Sequence, residues 1–383
     1  MADWVIVVDD DVTNLKMAGH ILSKQNMRVT ALKSGLALIE YVKTNQPDLI
    51  LLDVMMPGLD GFETMERLKG QMAPGREIPI IFLTADENRE SEMRGLRLGA
   101  MDFIRKPFVP EVLVLRVRHT IELVRLQRNL EKENRRISAE LALASRIQLS
   151  MLPNVFPPVP HRPEIDIYAS MDPVREVGGD FYDFFFVDED HLCLVMADVS
   201  GKGIPAALFM MASKIVLADS AKVGKSPAQI LEDTNLAIFA NNKEDMFVTV
   251  WVGILELSTG RMTAANAGHE YPILTDENGK FEVLKDDHGF VLGVMPERKY
   301  REYSVQLRPG AKIFIYTDGV TEATNGTGEL FGMQRMLEAL NRNSDTAPKQ
   351  VLRGVRQAVD EFVEGAEQAD DLTMMCLEYR GKP

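Results

Sequence analysis

The sequence predicts two unlike domains in tandem: a doubly wound α/β domain on a five-stranded parallel sheet, then an α+β domain, with a long helix between them. Three observations carry this. Over the first hundred residues, short apolar runs alternate with amphipathic helical patterns, as in a parallel sheet covered on both faces. From Pro110 to Met151 glycine is absent and charge is dense. Beyond residue 150, β-rich runs surround helices that follow one another instead of alternating with strands. A chain of 383 residues has room for two or three domains.

The elements follow in order. Strands are expected at Trp4–Val8, Met27–Ala31, Leu49–Leu52, Ile78–Leu83 and Phe103–Ile104, and the unbroken Leu49–Leu52 run reads as an internal strand. Helices are expected at Leu15–Leu22, Leu36–Val42, Phe62–Leu68 and Met93–Leu98. The helical linker over residues 110–150 carries apolar residues at 3-4 spacing. On a heptad, Leu123, Leu130, Ile137, Ala144 and Met151 take the a positions, and Leu126, Glu133, Glu140 and Ile147 the d positions. Two acids at d make a weak coiled coil, read as a homodimer seam ahead of a solvated spacer helix. Pro153, Pro157, Pro158, Pro160 and Pro163 then end the helix. In residues 151–383, strands are expected at Ile165–Ala169, Phe181–Val187, Leu192–Ala197, Val248–Leu257, Ile313–Tyr316 and Leu372–Glu378. Helices are expected at Ile204–Lys222, Pro227–Ala240, Gly332–Leu340 and Pro348–Val363.

Composition narrows the class. Hydrophobic residues make up 45% and charged residues 26%, which fits globular domains. The net charge is −14; residues 1–108 hold −3, 109–150 hold +3 and 151–383 hold −14. An acidic domain repels nucleic acid and anionic membranes, so neither is expected as a partner. Cys193 and Cys376 are too few for a disulfide framework. No secretory signal or membrane span is visible, so a cytoplasmic protein is expected.

Asp9 and Asp10 follow the first strand, Asp53 ends the third, Thr84 ends the fourth and Lys106 follows the fifth. The carboxyl ends of parallel strands share one edge, where ligands bind. Three converging acids there call for a hard cation such as Mg²⁺, and a neutralised aspartate is a nucleophile for a phosphoryl group. The strings VIVVDDD, LILLDVMMPGLDGFE, IIFLTA and DFIRKPF closely resemble the receiver domain of two-component response regulators, over residues 1–120. The resemblance implies Asp53 as phosphoacceptor and Asp9, Asp10, Asp53 and the Met55 carbonyl as Mg²⁺ ligands. It also implies Thr84 and Lys106 as the switch pair, Phe103 as the aromatic that follows phosphorylation, a cis Lys106–Pro107 bond, and a sensor histidine kinase as partner. Asp11 reads as surface or helix cap.

Four further motifs end strands with acid and glycine: EVGGDFYD (Asp180), MADVSGKG (Asp198), YTDGVTEA (Asp318) and ADDLTMM (Asp370, Asp371). Without a histidine cluster nearby, they indicate an all-oxygen site that selects Mg²⁺ or Mn²⁺. Their order and spacing resemble the PPM family of metal-dependent Ser/Thr phosphatases, in the branch of sporulation protein E and the stress-response regulators, over residues 151–383. That implies a β-sandwich flanked by helices and two Mg²⁺ or Mn²⁺ ions. Asp198 bridges them, Asp318 and Asp370 hold one, and Asp180 with the Val199 carbonyl holds the other; Asp371 is the fallback for Asp370. Catalysis then rests on Asp198 and Asp318 through a metal-activated water, with no protein nucleophile. Lys202 stands where many relatives have histidine, and either contacts substrate phosphate or is solvated. His269 in NAGHEYP is either a catalytic acid or a buried, hydrogen-bonded residue, and Cys193 and Phe209–Met211 read as core.

The function expected is a response regulator whose output is a phosphoprotein phosphatase, acting on a phosphorylated anti-sigma-factor antagonist. The alternative is a non-catalytic adaptor that binds a partner protein through a phosphatase-like domain.

Overall fold

The computed structural model describes residues 2–71, 77–85, 89–156 and 162–382. Pro157, Pro158 and Pro160 lie outside them. The chain forms two compact units, Met1–Ile137 and Ser138–Pro383.

In the first unit, strands β1 (Trp4–Val8), β2 (Arg28–Leu32), β3 (Leu49–Asp53), β4 (Ile80–Thr84) and β5 (Asp102–Arg105) form one parallel sheet in the order β2-β1-β3-β4-β5. Side chains alternate across it. Ile6, Val8, Ile50, Leu52 and Phe82 face one core with helices α2 (Gly35–Tyr41) and α3 (Gly61–Gln71). Val5, Val7, Leu49, Leu51 and Ile81 face the other, with α1 (Val12–Ser23) and the start of α5 (Pro110–Ser150). Helix α4 (Arg89–Arg97) completes the unit. Every β3 residue is buried, as its apolar sequence requires. Asp11 caps α1, its carboxylate accepting the Thr13 N–H at 2.7 Å, which settles that acid as a helix cap.

Helix α5 runs 41 residues. Leu113, Val117 and Ile121 are buried in the first unit, residues 131–140 are all exposed, and Gln148 and Leu152 are buried in the second unit. The division between units therefore falls inside the helix.

The second unit is a sandwich of two antiparallel sheets. One holds β7 (Phe181–Phe186), β8 (His191–Val199), β9 (Val248–Glu256), β10 (Arg261–Ala267) and β13 (Glu302–Gln306), in the order β13-β10-β9-β8-β7. The other holds β6 (Ile165–Asp172), β11 (Ile273–Thr275), β12 (Phe281–Val283), β14 (Lys312–Tyr316) and β15 (Leu372–Tyr379), in the order β12-β11-β14-β15-β6. Helices α6 (Ile204–Ser220) and α7 (Pro227–Phe239) cover the first sheet; α8 (Gly332–Arg342) and α9 (Pro348–Val363) cover the second. Alternation again sorts the side chains. Ile313, Ile315, Met375 and Leu377 enter the sandwich interior, whereas Phe314, Tyr316, Met374 and Cys376 pack under α8 and α9. Cys193 and Met210 are fully buried, as core residues; Phe209 and Met211 are half-buried against the same core.

Candidate metal centres

In the first unit, the carboxyl edge of the sheet collects the acids. Ligand oxygens of Asp9, Asp10 and Asp53 lie within 4.8 Å of one another. Asp9 is fully buried; its Oδ1 accepts the Asp11 N–H at 2.9 Å and the Asn14 amide at 3.2 Å. The Lys106 ammonium lies 2.7 Å from Asp9 Oδ2 and 2.8 Å from Asp53 Oδ1. Burial raises the Asp53 carboxyl above its ordinary range, and Lys106 opposes that rise. One ammonium does not balance three carboxylates, so this oxygen donor set fits a hard divalent cation. The Met55 N–H reaches Asp53 Oδ1 at 3.4 Å, and Met55 itself is exposed. Thr84 is buried at the end of β4. Phe103 is buried beside Phe82, ring centroids 5.4 Å apart, and Phe82 meets Phe62 at 5.0 Å. The Lys106–Pro107 bond is cis.

In the second unit, antiparallel pairing brings the motif ends together. Phe181 pairs with Ala197, so Asp180 and Asp198 flank one β7–β8 rung. Tyr316 pairs with Met374, so Asp318 and Asp370 meet where β14 ends and β15 begins. Two links tie these pairs across the sandwich. The Thr317 hydroxyl donates to Asp180 Oδ2 at 2.6 Å. Asp371, buried, accepts the Val174 N–H on Oδ1 at 2.8 Å and the Gly179 N–H on Oδ2 at 2.7 Å. Both of its oxygens are thus engaged by backbone. Asp370 is more open: its Oδ2 lies 2.7 Å from the Lys202 ammonium, which also donates to the Ala369 carbonyl at 2.6 Å. Lys202 is therefore held against an acid of the site instead of standing free in solvent.

The glycines make this closeness possible. A Cβ on Gly179 would lie 2.9 Å from the Val199 carbonyl oxygen, and one on Gly319 would lie 1.9 Å from the Asp371 carbonyl oxygen. The Val199 carbonyl and the GGD loop meet because there is no side chain between them.

The electrostatics of the acids show why a cation suits them. Burial holds the Asp180 carboxyl well above its ordinary range, and Asp198 and Asp371 push it further. Burial, then Asp318, raises Asp198 to about 7, although a hydrogen bond with Asp180 opposes this. Burial, then Glu322 and Asp370, raises Asp318 to about 6. Acids that resist ionisation together, all with oxygen donors, fit Mg²⁺ or Mn²⁺, which favours their charged forms.

His269 is buried. Its Nε2 donates to the Tyr316 carbonyl at 3.1 Å, which leaves Nδ1 to accept the Thr249 hydroxyl at 2.8 Å. Burial lowers its pKa to about 3, so the ring is neutral and joins β9 to β14. Of the two readings of this histidine, the structure has the buried, hydrogen-bonded one. Sequence reasoning did not single out Thr317, Glu270 and Glu322, which surround Asp180 and Asp318, or the clasp made by Asp371.

No described helix is long and apolar enough to cross a membrane. The model of the family "Stage II sporulation protein E (SpoIIE)" matches residues 188–380, and that of the response regulator receiver domain matches residues 5–118. Protein IcfG of Synechocystis sp. is 31% identical over 268 residues, covering 63% of this chain and 41% of its own length. Phosphoserine phosphatase RsbU of Bacillus subtilis is 30% identical over 204 residues, covering 53% of this chain and 60% of its own. This chain thus spans about two-fifths to three-fifths of these relatives. The SiaA-PP2C domain of Pseudomonas aeruginosa shares the fold, with a TM-score of 0.56 at 21% identity over 64% of this chain and 98% of that one.

Proposed function

Because this chain belongs to the SpoIIE family, with a receiver domain fused ahead of a PPM-type phosphatase domain, we propose that it is a phosphorylation-controlled protein phosphatase. Its substrate is phosphoserine or phosphothreonine on an anti-sigma-factor antagonist. The observation that carries the reading is that two acid pairs at strand ends, Asp180 with Asp198 and Asp318 with Asp370, are tied by the Thr317–Asp180 hydrogen bond and lie close enough for Asp318 to raise the Asp198 pKa. Asp318 and Asp370 would hold one Mg²⁺ or Mn²⁺ ion, Asp180 with the Val199 carbonyl would hold a second, and Asp198 would serve both. When bound, these ions supply an activated water and neutralise the phosphoryl oxygens. Thr317 orients Asp180, and Lys202 pairs with Asp370.

The substrate class draws support from the similarity to RsbU, a phosphoserine phosphatase. A groove of about 810 Å³ beside Lys202, with Ile204 and Leu208 on its wall, has room for a polypeptide segment around the phosphorylated residue. In the receiver, Asp53 accepts a phosphoryl group from a sensor histidine kinase, with one Mg²⁺ held by Asp9, Asp10, Asp53 and the Met55 carbonyl. Lys106 and Thr84 contact the phosphoryl oxygens, and Phe103 responds. A homodimer through α5 and a cytoplasmic site of action complete the reading.

The test is phosphate release from a phosphoserine antagonist protein by the full chain in Mn²⁺. Activity is expected to vanish in excess chelator and to fall by at least about a thousandfold in Asp198→Asn, since a charged bridging ligand is lost. Hydrolysis of ATP at equal concentration is expected to be far slower. Full activity in chelator or in Asp198→Asn refutes the metal centre, no phosphate release at all refutes catalysis and leaves the adaptor reading, and a preference for the nucleotide refutes the substrate class.

A further inference from the structure

Gln148 is 2% exposed, although its neighbours Ile147 and Leu149 are 49% and 39% exposed. Its carboxamide grips both polar groups of one peptide unit residue: Nε2 donates to the Gly178 carbonyl at 2.6 Å, and Oε1 accepts the Gly178 N–H at 3.1 Å. Burying an amide is unfavourable unless such bonds are made. A helix end that served packing alone would use an apolar side chain here. Gly178 has no room to move toward the opposite side, because a Cβ on it would lie 2.3 Å from Asp371 Oδ2. The Gly178 backbone is thus wedged between Gln148 and Asp371, and Asp180 follows two residues later.

A second fixing point lies just beyond Asp180. The Tyr182 hydroxyl donates to the Pro153 carbonyl at 2.9 Å. The last turn of α5 and the residues after it therefore hold the Gly178–Tyr182 segment on both sides of Asp180. Met210 on α6 also touches the amide, its sulfur 3.5 Å from Nε2.

We propose that Gln148 is a positioning residue for the divalent-cation site: by clamping the Gly178 peptide it fixes Asp180, so the end of the linker helix sets how tightly the site holds metal. This rests on the reading of Asp180 as a metal ligand. Groups that orient metal ligands from behind typically change affinity by roughly tenfold to a hundredfold when removed. The clamp also gives the linker a defined point of action, since a shift or rotation of its last turn moves the Gly178 peptide directly.

The test is calorimetric Mn²⁺ titration of the full chain in an Asp10→Asn background, which weakens the receiver's own cation site. Hydrogen exchange of residues 174–182 is followed in parallel. Gln148→Leu keeps size and removes both bonds. It is expected to weaken Mn²⁺ binding by at least roughly tenfold and to speed exchange in 174–182. Met210→Leu alters the same packing but leaves the clamp, and is expected to bind as the parent does. Parental affinity and exchange in Gln148→Leu overturn the proposal, as does an equal loss in Met210→Leu. If Gln148→Leu does not fold, Gln148→Glu serves instead; it keeps the size but loses the donor to the Gly178 carbonyl, and parental affinity in it overturns the proposal. Asp180→Asn tests the underlying assignment separately: parental affinity there removes Asp180 from the site and the proposal with it.

Discussion

His269 stays neutral far below the pH at which an exposed imidazole charges, because both ring nitrogens are engaged and the ring is buried. Its folded pKa of about 3 lies below the ordinary 6.5. The unfolded chain therefore takes up a proton that the native state refuses, and stability falls as pH drops through 6.5 toward 3. Between pH 7 and pH 5 this one group accounts for a loss of about 2 kcal/mol. Urea unfolding followed by Trp251 fluorescence in a Trp4→Phe background measures it. His269→Gln is expected to lose about 2 kcal/mol less over that interval; equal losses refute the neutral, buried assignment. Asp198 and Asp318 were legible because each follows an apolar run with glycine close behind, and Asp180 because two glycines precede it, whereas Asp370 lies just before β15 with no glycine beside it. Thr317 and Gln148 carry no such mark, and Asp371, though read in its motif, gives no sign there of its clasp. Their partners lie 137, 30 and 192 residues away along the chain, so only the fold reveals them.

Helix α5 exposes an apolar row: Leu123, Leu126, Leu130, Ile137 and Ile147 are each at least 44% exposed. Glu133 and Glu140 interrupt the row at heptad d positions, and Glu133 pairs with Arg136 of its own helix at 2.6 Å. In a parallel pair, acids at d face each other and repel. Replacing both by leucine is expected to tighten dimerisation by at least about tenfold, since each buried leucine contributes about 1.5–3 kcal/mol. Sedimentation velocity reads this, and an unchanged oligomeric state refutes the seam in this register. Other elements divided by chemistry. Strand β3, with its apolar Leu49–Leu52 run, and the β-rich β15 were readable as strands. Strand β10 was missed because RMTAANA is poor in β-branched and aromatic residues, yet two neighbouring strands hold it in the sheet. Strands β11 and β12 have three residues each, too few for any period, and β13 alternates with no fully buried position.

Helix α5 has an end buried in each unit, and the two sites are predicted to answer one another. Asp53→Asn keeps the size of the side chain but removes the nucleophilic carboxylate. It is expected to take up no phosphoryl group from acetyl phosphate and to lose any donor-dependent change in phosphatase rate, while the rate without donor is retained. Phosphate incorporation and product release, measured on the same samples, check both; a donor response that survives in Asp53→Asn refutes control through this residue. Strand β15 carries a consequence for how the enzyme is made. Among the described residues it is the last strand, it lies between β14 and β6, and β6 pairs with no other strand. The Asp371 clasp on Val174 and Gly179 arrives with it. During synthesis the receiver emerges first and folds as a unit. The first strand of the sandwich must wait, without a sheet neighbour, until β15 has been made. A nascent chain therefore holds a folded receiver before its second sheet is complete, and a chain cut short before Asp370 lacks both the strand that joins β14 to β6 and the Asp371 clasp.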